Sequence, residues 1–514
     1  MAEEKKSRLY AFKPLIERWP AVTRPEGHVH FRTKILWTLT CLTFYFILTN
    51  VMIFGLESGT LDMFEQYRFI MAGASGSIVH LGIGPIVTAS IILQLFVGAD
   101  IINLDLQNPD DKAIYQGFQK VLVAIMIFVE AVPQIFGYLG PSGNLIGIVG
   151  GNQVAANAII VAQICIGCFL IFFMDELISK WGVGSGISLF IAAGVSQQIF
   201  TGLFNWLPVQ GGSWGEWTLQ NPPAGVIPGT YYLGSEMSLT EIVRGGYQTM
   251  FLGNPQINYS NTIVALLGTL FIFFIVVYVE SSRIELPLAH GRVRGARGRY
   301  PIKLIYASVI PVILVSALLA NINMFAMLLW RSDLPLIGNQ WWIGKFGPAT
   351  TQPIAGGAWY LSRPNGINGW LLPMLSGGYG GHEPWQFALK VIIYLIVMIV
   401  GAILFAKFWI ETTNMGPDAV ARQIQSSGMQ IPGFRRDPRV LRRVLKRYIP
   451  VVTVISGAVV GALAGFSDAI GTVGNVSGTG VLLAVSIIIQ LYEEIGKEQA
   501  MEMHPVLRGF FGNE

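Results

Sequence analysis

The chain has 514 residues, 52% of them hydrophobic and 12% charged, about half the charged share of an average soluble domain. Hydrophilic linkers that would separate several soluble cores do not occur, so the composition excludes a soluble multidomain protein and leaves an all-α polytopic membrane protein. A net charge of +4 is too small by itself to mark a nucleic-acid binder, and Cys41, Cys165 and Cys168, all in apolar runs, are too few for a disulfide framework.

The first thirty residues are charged and lack the apolar region and small-residue cleavage site of a signal peptide. The expectation is that nothing is removed and that the N-terminus stays in the cytosol. Charge-poor windows of about 20 residues, the length that crosses about 30 Å of hydrocarbon, predict ten spans. They lie near 35–54, 81–99, 118–138, 155–174, 184–205, 262–279, 304–328, 386–410, 449–467 and 472–492. Span three contains Glu130; span eight is bounded by Lys390 and Lys407, whose long stems can snorkel to the interfaces. With the N-terminus inside, six of the 34 Lys and Arg fall on the outer side: Arg68, Arg244, Arg331, Lys345, Arg363 and Lys390. That asymmetry predicts both termini in the cytoplasm.

Between spans one and two, residues 61–76 are helix-forming but too polar and short to cross a bilayer, and they run into Leu81-Gly82-Ile83-Gly84-Pro85. Two readings stand: a surface hairpin, or a re-entrant element surrounded by protein. The outer stretches 206–261 and 331–385, rich in Gly, Pro and Trp, read as compact loops. Two loops on the inner side, about 281–303 and 411–447, are strongly basic, the second through Arg435, Arg436, Arg439, Arg442, Arg443, Lys446 and Arg447. Orientation explains part of that charge and lipid head groups suit it; its density also suits a polyanionic partner such as ribosomal RNA. A cytosolic tail, 495–514, follows the last span.

Five spans followed by five place the second half (262–494) in the membrane upside down relative to the first (1–205), as an inverted repeat would. Gly184-Ser185-Gly186-Ile187 at span five and Ser477-Gly478-Thr479-Gly480 at span ten are either its trace or simply small residues at helix contacts.

Several motifs fail for want of context. Cys165-Ile166-Gly167-Cys168 sits in an apolar span with no second pair and no nearby His. Gly73-Ala74-Ser75-Gly76 has the shape used by intramembrane serine proteases, but small residues at a helix break explain it better. There is no Walker A loop, no HExxH and no intramembrane aspartate pair, so no catalytic residue, metal or cofactor is expected. Of the ionisable groups, Glu130 alone lies well within a span. It is either a helix-contact residue or a functional one.

The strings Leu81-Gly82-Ile83-Gly84-Pro85-Ile86-Val87-Thr88, Lys180-Trp181-Gly182-Val183-Gly184-Ser185-Gly186-Ile187-Ser188 and Arg299-Tyr300-Pro301-Ile302-Lys303 resemble SecY, the large subunit of the protein-conducting channel, in its archaeal form. The resemblance covers nearly the whole chain. It implies two inverted five-helix halves around a central pore narrowed by a ring of Ile83, Val87, Ile187, Ile191, Ile313 and Leu483. It also implies a plug at about 62–75 hinged by Gly73, Gly76, Gly82 and Gly84, and a lateral gate whose polar cluster is Thr88, Glu130 and Asn321. Basic residues Arg292, Arg294, Arg297, Arg299, Arg435 and Arg436 would dock the ribosome. The implied partners are SecE/gamma-type and beta-type small subunits, the ribosome with its RNA, signal peptides, nascent polypeptides and membrane lipids. Ile83/Val87 and Ile187/Ile191 are i, i+4 pairs sharing a helix face, and a branched apolar ring gates ions by dewetting. The function expected is passage of secretory polypeptides across the cytoplasmic membrane and sideways release of apolar segments. The alternative is a secondary transporter with a five-plus-five repeat; an intramembrane protease comes third.

Overall fold

The computed structural model describes residues 8–27, 29–57, 68–98, 101–102, 104, 108–137, 139–237, 240, 247–253, 261–290, 297–306, 309–331, 340–347, 352–375, 377–378, 380–413, 415–426, 429–430, 438–474 and 476–503. Each predicted span is a helix: Phe31–Asn50, Gly84–Gly98, Pro109–Gly137, Gln153–Trp181, Gly186–Phe204, Ile263–Ser281, Ile310–Arg331, Pro384–Thr412, Pro438–Ile470 and Gly478–Met503. Among the described residues nine of these are long and apolar enough to cross a membrane.

Span two differs from expectation. Its helix has 15 residues, about 22 Å at 1.5 Å per residue, less than the hydrocarbon thickness. The apolar run predicted from 81 continues, but Gly82 adopts a positive φ of 56°, so the helix starts at Gly84 and residues 77–83 cross part of the depth without regular structure.

The packing repeats between the halves. Span one meets four and five, two meets three, and four meets three and five; in the second half six meets nine and ten, seven meets eight, and nine meets eight and ten. The small-residue motifs have the same role in both. Gly186 opens span five against Asp175 of span four, whose Oδ1 accepts the Ile187 N–H at 2.9 Å. Gly478 opens span ten against the backbone of Ser467, and the neighbouring Asp468 Oδ1 accepts the Thr479 N–H at 3.0 Å. In each half an aspartate late in the fourth helix satisfies an amide left orphaned at the start of the fifth. Either Gly would place a Cβ into that aspartate's segment.

The ends of the chain meet on one side, where Lys34 Nζ lies 2.8 Å from Glu498. On that side the basic stretches differ from the predicted loops. Strands β1 (Arg283–His290) and β2 (Arg297–Lys303) form an antiparallel hairpin, and β5 (Met429–Gln430) adds to β1 through Ala289↔Gln430. Residues 438–447 are the first turns of span nine. Leu441, Leu445 and Ile449 are buried there while Arg442, Arg443, Lys446 and Arg447 face outward, so the basic residues hide an amphipathic helix from a hydropathy window. The tail likewise starts as helix, to Met503. On the far side the stretches read as loops carry helices at Val226–Glu236 and Gly366–Leu375 and a hairpin of β3 (Lys345–Phe346) and β4 (Pro353–Ala355).

Asp468 also accepts Tyr394 Oη and Thr479 Oγ1, each at 2.7 Å, so it ties spans eight, nine and ten. Asp468→Ala is expected to lower the thermal unfolding midpoint of the detergent-solubilised protein, on the scale of a lost N-cap, about 0.5–2 kcal/mol or more. Asp468→Asn should fall between. A midpoint unmoved by Asp468→Ala would show that the carboxylate does not hold this junction.

Candidate pore and lateral seam

The halves meet along two seams. At the back span five packs on span ten; at the front span two packs on seven and eight, and span three touches seven. The six proposed ring residues belong to one continuous apolar core: five are buried and Ile187 is partly buried against them. Three of them, Val87, Ile187 and Ile313, contributed by both halves, line a single cavity of about 280 Å³. Its wall towards spans three and eight is polar, with Gln116, Gln119 and Thr412; Gln119 Nε2 donates to Ser90 Oγ at 2.7 Å. The cavity therefore brings branched aliphatic side chains of both halves together with polar ones.

At the front seam the three expected polar residues converge on Thr88. Asn321 Nδ2 donates to Thr88 Oγ1 at 3.1 Å and to Ala317 O at 3.0 Å, and the Thr88 hydroxyl donates to Gly84 O at 3.0 Å. The Glu130 carboxyl lies within reach of the same Thr88 side chain, and a Cβ built at Gly84 would come within 3.1 Å of its Oε2. Gln134, one turn further along span three, is fully buried with both amide atoms unpartnered among the described residues. Gln134 escaped sequence reading because an uncharged amide barely disturbs a hydropathy window.

The expected plug is described from residue 68 onward; residues 62–67 lie outside the described residues. Arg68–Met71 is helical, and Arg68, buried, donates through Nη1 to the His80 carbonyl. Tyr45 of span one donates to Ala72 O at 3.0 Å, and the Ile83 N–H donates to Met71 O at 2.7 Å. Of the described part of this segment, Arg68, Met71 and Ala72 are buried, and Ser77, Val79 and His80 after it are fully buried, while Ser75 between them is exposed. The four predicted glycines divide by role. Gly76 and Gly82 have positive φ, 72° and 56°, which L-residues other than Gly seldom adopt. Gly73 and Gly84 serve close approach, to Val79 O and to Met71 Sδ respectively. Arg68 and Tyr45 were not predicted, and no local motif marks either. Ser75 is exposed, and the Gly76 N–H donates to His80 Nδ1 at 3.0 Å, which engages that ring with the turn's own backbone. Gly167 of the CxxC string admits Ile78 against span four, so the motif belongs to packing.

Of the six arginines expected to dock a ribosome, Arg297 and Arg299 lie in β2, opposite Ala289 and Pro287. Arg292, Arg294, Arg435 and Arg436 lie outside the described residues. The hairpin base is fixed by Glu493 of span ten, 2.9 Å from Arg283 and 2.5 Å from Lys303. Asp418 engages Arg442 and Lys446 at 2.8 and 3.5 Å, so part of the predicted basic cluster is internally paired.

Comparison with known proteins accounts for this arrangement. The SecY family pattern matches residues 77–492, and the pattern described as the plug domain of Sec61p matches residues 45–76. The chain belongs to the SecY family. It is 50% identical to the protein translocase subunit SecY of Haloferax volcanii over 98% of this chain and 99% of that one. Identity to the corresponding subunit of Archaeoglobus fulgidus is 45%, over 99% of both. Among solved structures, one described as the structure of a protein-conducting channel superposes with a TM-score of 0.75 at 37% identity, covering 96% of this chain and 98% of that one. Sec61 in the canine ribosome–channel complex from the endoplasmic reticulum gives a TM-score of 0.72 at 37% identity, with the same coverage. Membership of this family makes the chain a membrane-spanning subunit of a protein-translocation channel, and the five-plus-five transporter reading gives way to it.

A Cβ at Gly82 would fall on the Met71 carbonyl. Gly82→Val is therefore expected to unseat the segment. With a cysteine introduced at Val79, labelling by a membrane-impermeant maleimide should rise several-fold over the Gly82 parent. Equal protection would mean that this turn does not seat the segment.

Proposed function

We propose that the chain forms the conduit and gate of a channel for unfolded polypeptides in the cytoplasmic membrane, with both termini in the cytosol. The observation that carries this reading is the cavity lined by Val87, Ile187 and Ile313 from both halves. Ile83, Ile191 and Leu483 complete the ring in this reading, and the segment around 68–76 is the plug that closes it. A flexible ring of branched aliphatics excludes hydrated ions by dewetting and offers a passing chain no hydrogen bonds that would hold it.

Thr88 and Asn321, with Glu130 beside them, form the lateral gate between spans two and three and spans seven and eight. Partition energy decides a segment's route, because a Leu at a helix centre gains about 0.3–0.6 kcal/mol in lipid and an Arg costs about 2.5–3.5 kcal/mol. About twenty apolar residues leave sideways; a hydrophilic segment stays in the conduit. Such a device needs no catalytic residue and no bound nucleotide. The driving force then comes from a partner, and the basic hairpin of β1 and β2 suits a ribosome's polyanionic surface, as the likeness to a ribosome-bound channel supports. Small helical subunits of the SecE/gamma and beta types complete the assembly.

A photo-crosslinkable residue at Ile191, with stalled ribosomes carrying a secretory chain, should give crosslinks that move along that chain as it lengthens. Bound ribosomes without a crosslink would remove Ile191 from the path. Replacing Ile187 and Ile191 together by Gly should make resting proteoliposomes leak ions, and an intact seal would reject the ring.

A further inference from the structure

On the side of the membrane away from the termini, an entirely apolar groove of about 420 Å³ separates span seven from the segment 341–361. Ile322, Phe325, Ala326 and Leu329 form one wall, and Trp342 and Leu361 stand opposite. The groove's one side chain with a polar atom is Trp342, and its Nε1 donates to Gln340 at 3.2 Å. Water entering this space would find no side-chain partner, so water is not its occupant.

The groove opens directly onto an apolar stripe of span seven. Leu318, Ile322 and Phe325 recur at i, i+4 and i+7, and all three are exposed. An exposed apolar stripe on a helix of membrane-spanning length suits contact with hydrocarbon. At the rim, the Trp341 and Trp342 rings are 72% and 61% exposed, a composition found where hydrocarbon meets head groups.

The second wall is built rather than loose. The Gly357 and Ala358 N–H groups donate to Trp342 O and Ile343 O at 2.9 and 2.8 Å. Trp359 stacks on His382 with ring centres 3.9 Å apart, and the His382 ring nitrogens lie 2.6 Å from Ile354 O and 3.0 Å from Gln386 Oε1. That ring fastens the segment to the start of span eight. The space between this wall and span seven is thus set by structure, and it opens beside the exposed stripe of span seven.

We propose that this groove is a binding site for one hydrocarbon tail of a lipid in the far-side leaflet, held between span seven and the 341–361 segment. Ile322 follows Asn321, the residue that bonds across the front seam. A tail seated here braces span seven in the position where Asn321 meets Thr88; that consequence rests on the gate reading above, while the site itself does not.

The test uses the full-length protein in nanodiscs containing a phospholipid with a diazirine in its tail, with adducts mapped by mass spectrometry after photolysis. Adducts are expected to concentrate on 318–329 and 342–361 relative to Ile392, Ile396 and Val400, exposed on span eight without such a groove. Ala326→Phe, which fills the groove from the span seven wall, should reduce groove adducts about tenfold, equivalent to about 1.4 kcal/mol, and leave those at 392–400 unchanged. Ala358→Leu fills it from the other wall and serves if the first variant fails to fold. Adducts distributed simply by exposure, or insensitive to a folded groove-filling variant, would overturn the site. Failure of the conduit or gate would instead appear in the nascent-chain and ion-leak measurements, which do not require this lipid.

Discussion

Backbone amides and carbonyls at membrane depth have no water to bind, so each must be satisfied within the protein. Most of this chain obeys that constraint as helix, and the segment before Gly84 obeys it by enclosure. Its hydrogen bonds go to protein: Ile78 N to Val51 O, Ile53 N to Gly76 O and Ile83 N to Met71 O. The close fit depends on absent side chains, with Gly82 against the Met71 carbonyl and Gly167 against Ile78. Span two can be short because this irregular stretch completes the crossing inside a protein shell. An element held in this way can leave its seat without melting a membrane helix.

The two halves repeat one internal arrangement and meet along two seams. Within each half an aspartate fixes the start of the last helix, and glycine lets the helix end approach closely. At the front seam the described polar link is the amide–hydroxyl bond of Asn321 with Thr88, flanked by apolar contact. A neutral interhelical hydrogen bond of this kind contributes about 0.6 kcal/mol on average in membranes. Little polar energy is therefore held where span two meets span seven.

The span pattern was legible because hydrophobic length is a strong signal in a bilayer. Errors arose where two signals competed. The apolar run before span two concealed the break at Gly82, since hydropathy does not register φ. Conversely, arginines and lysines masked residues 438–447 as loop although Leu441, Leu445 and Ile449 mark one helical face. The β1–β2 hairpin was hidden in the same way by its charge. Asp175 and Asp468 served as span boundaries in the sequence, although helix continues through both; their matching placement before the two Ser-Gly motifs was the available clue. Thr88 meets Asn321 and Glu130, a convergence that depends on helix rotation, which one sequence does not specify.

The surroundings of Glu130 bear on how the seam is built. Glu130 is buried within reach of the Thr88 side chain and beside Gly84, where the front seam approaches Met71. Moving span three relative to span two would change the surroundings of Glu130 and of the Met71 side chain together. Thr88 is shared between Asn321 and Glu130, so any shift of span two alters both contacts. The same first turn of span two carries Gly84, packed against Met71, and Thr88, so the contacts of the seam and of the segment around Met71 depend on one helix start.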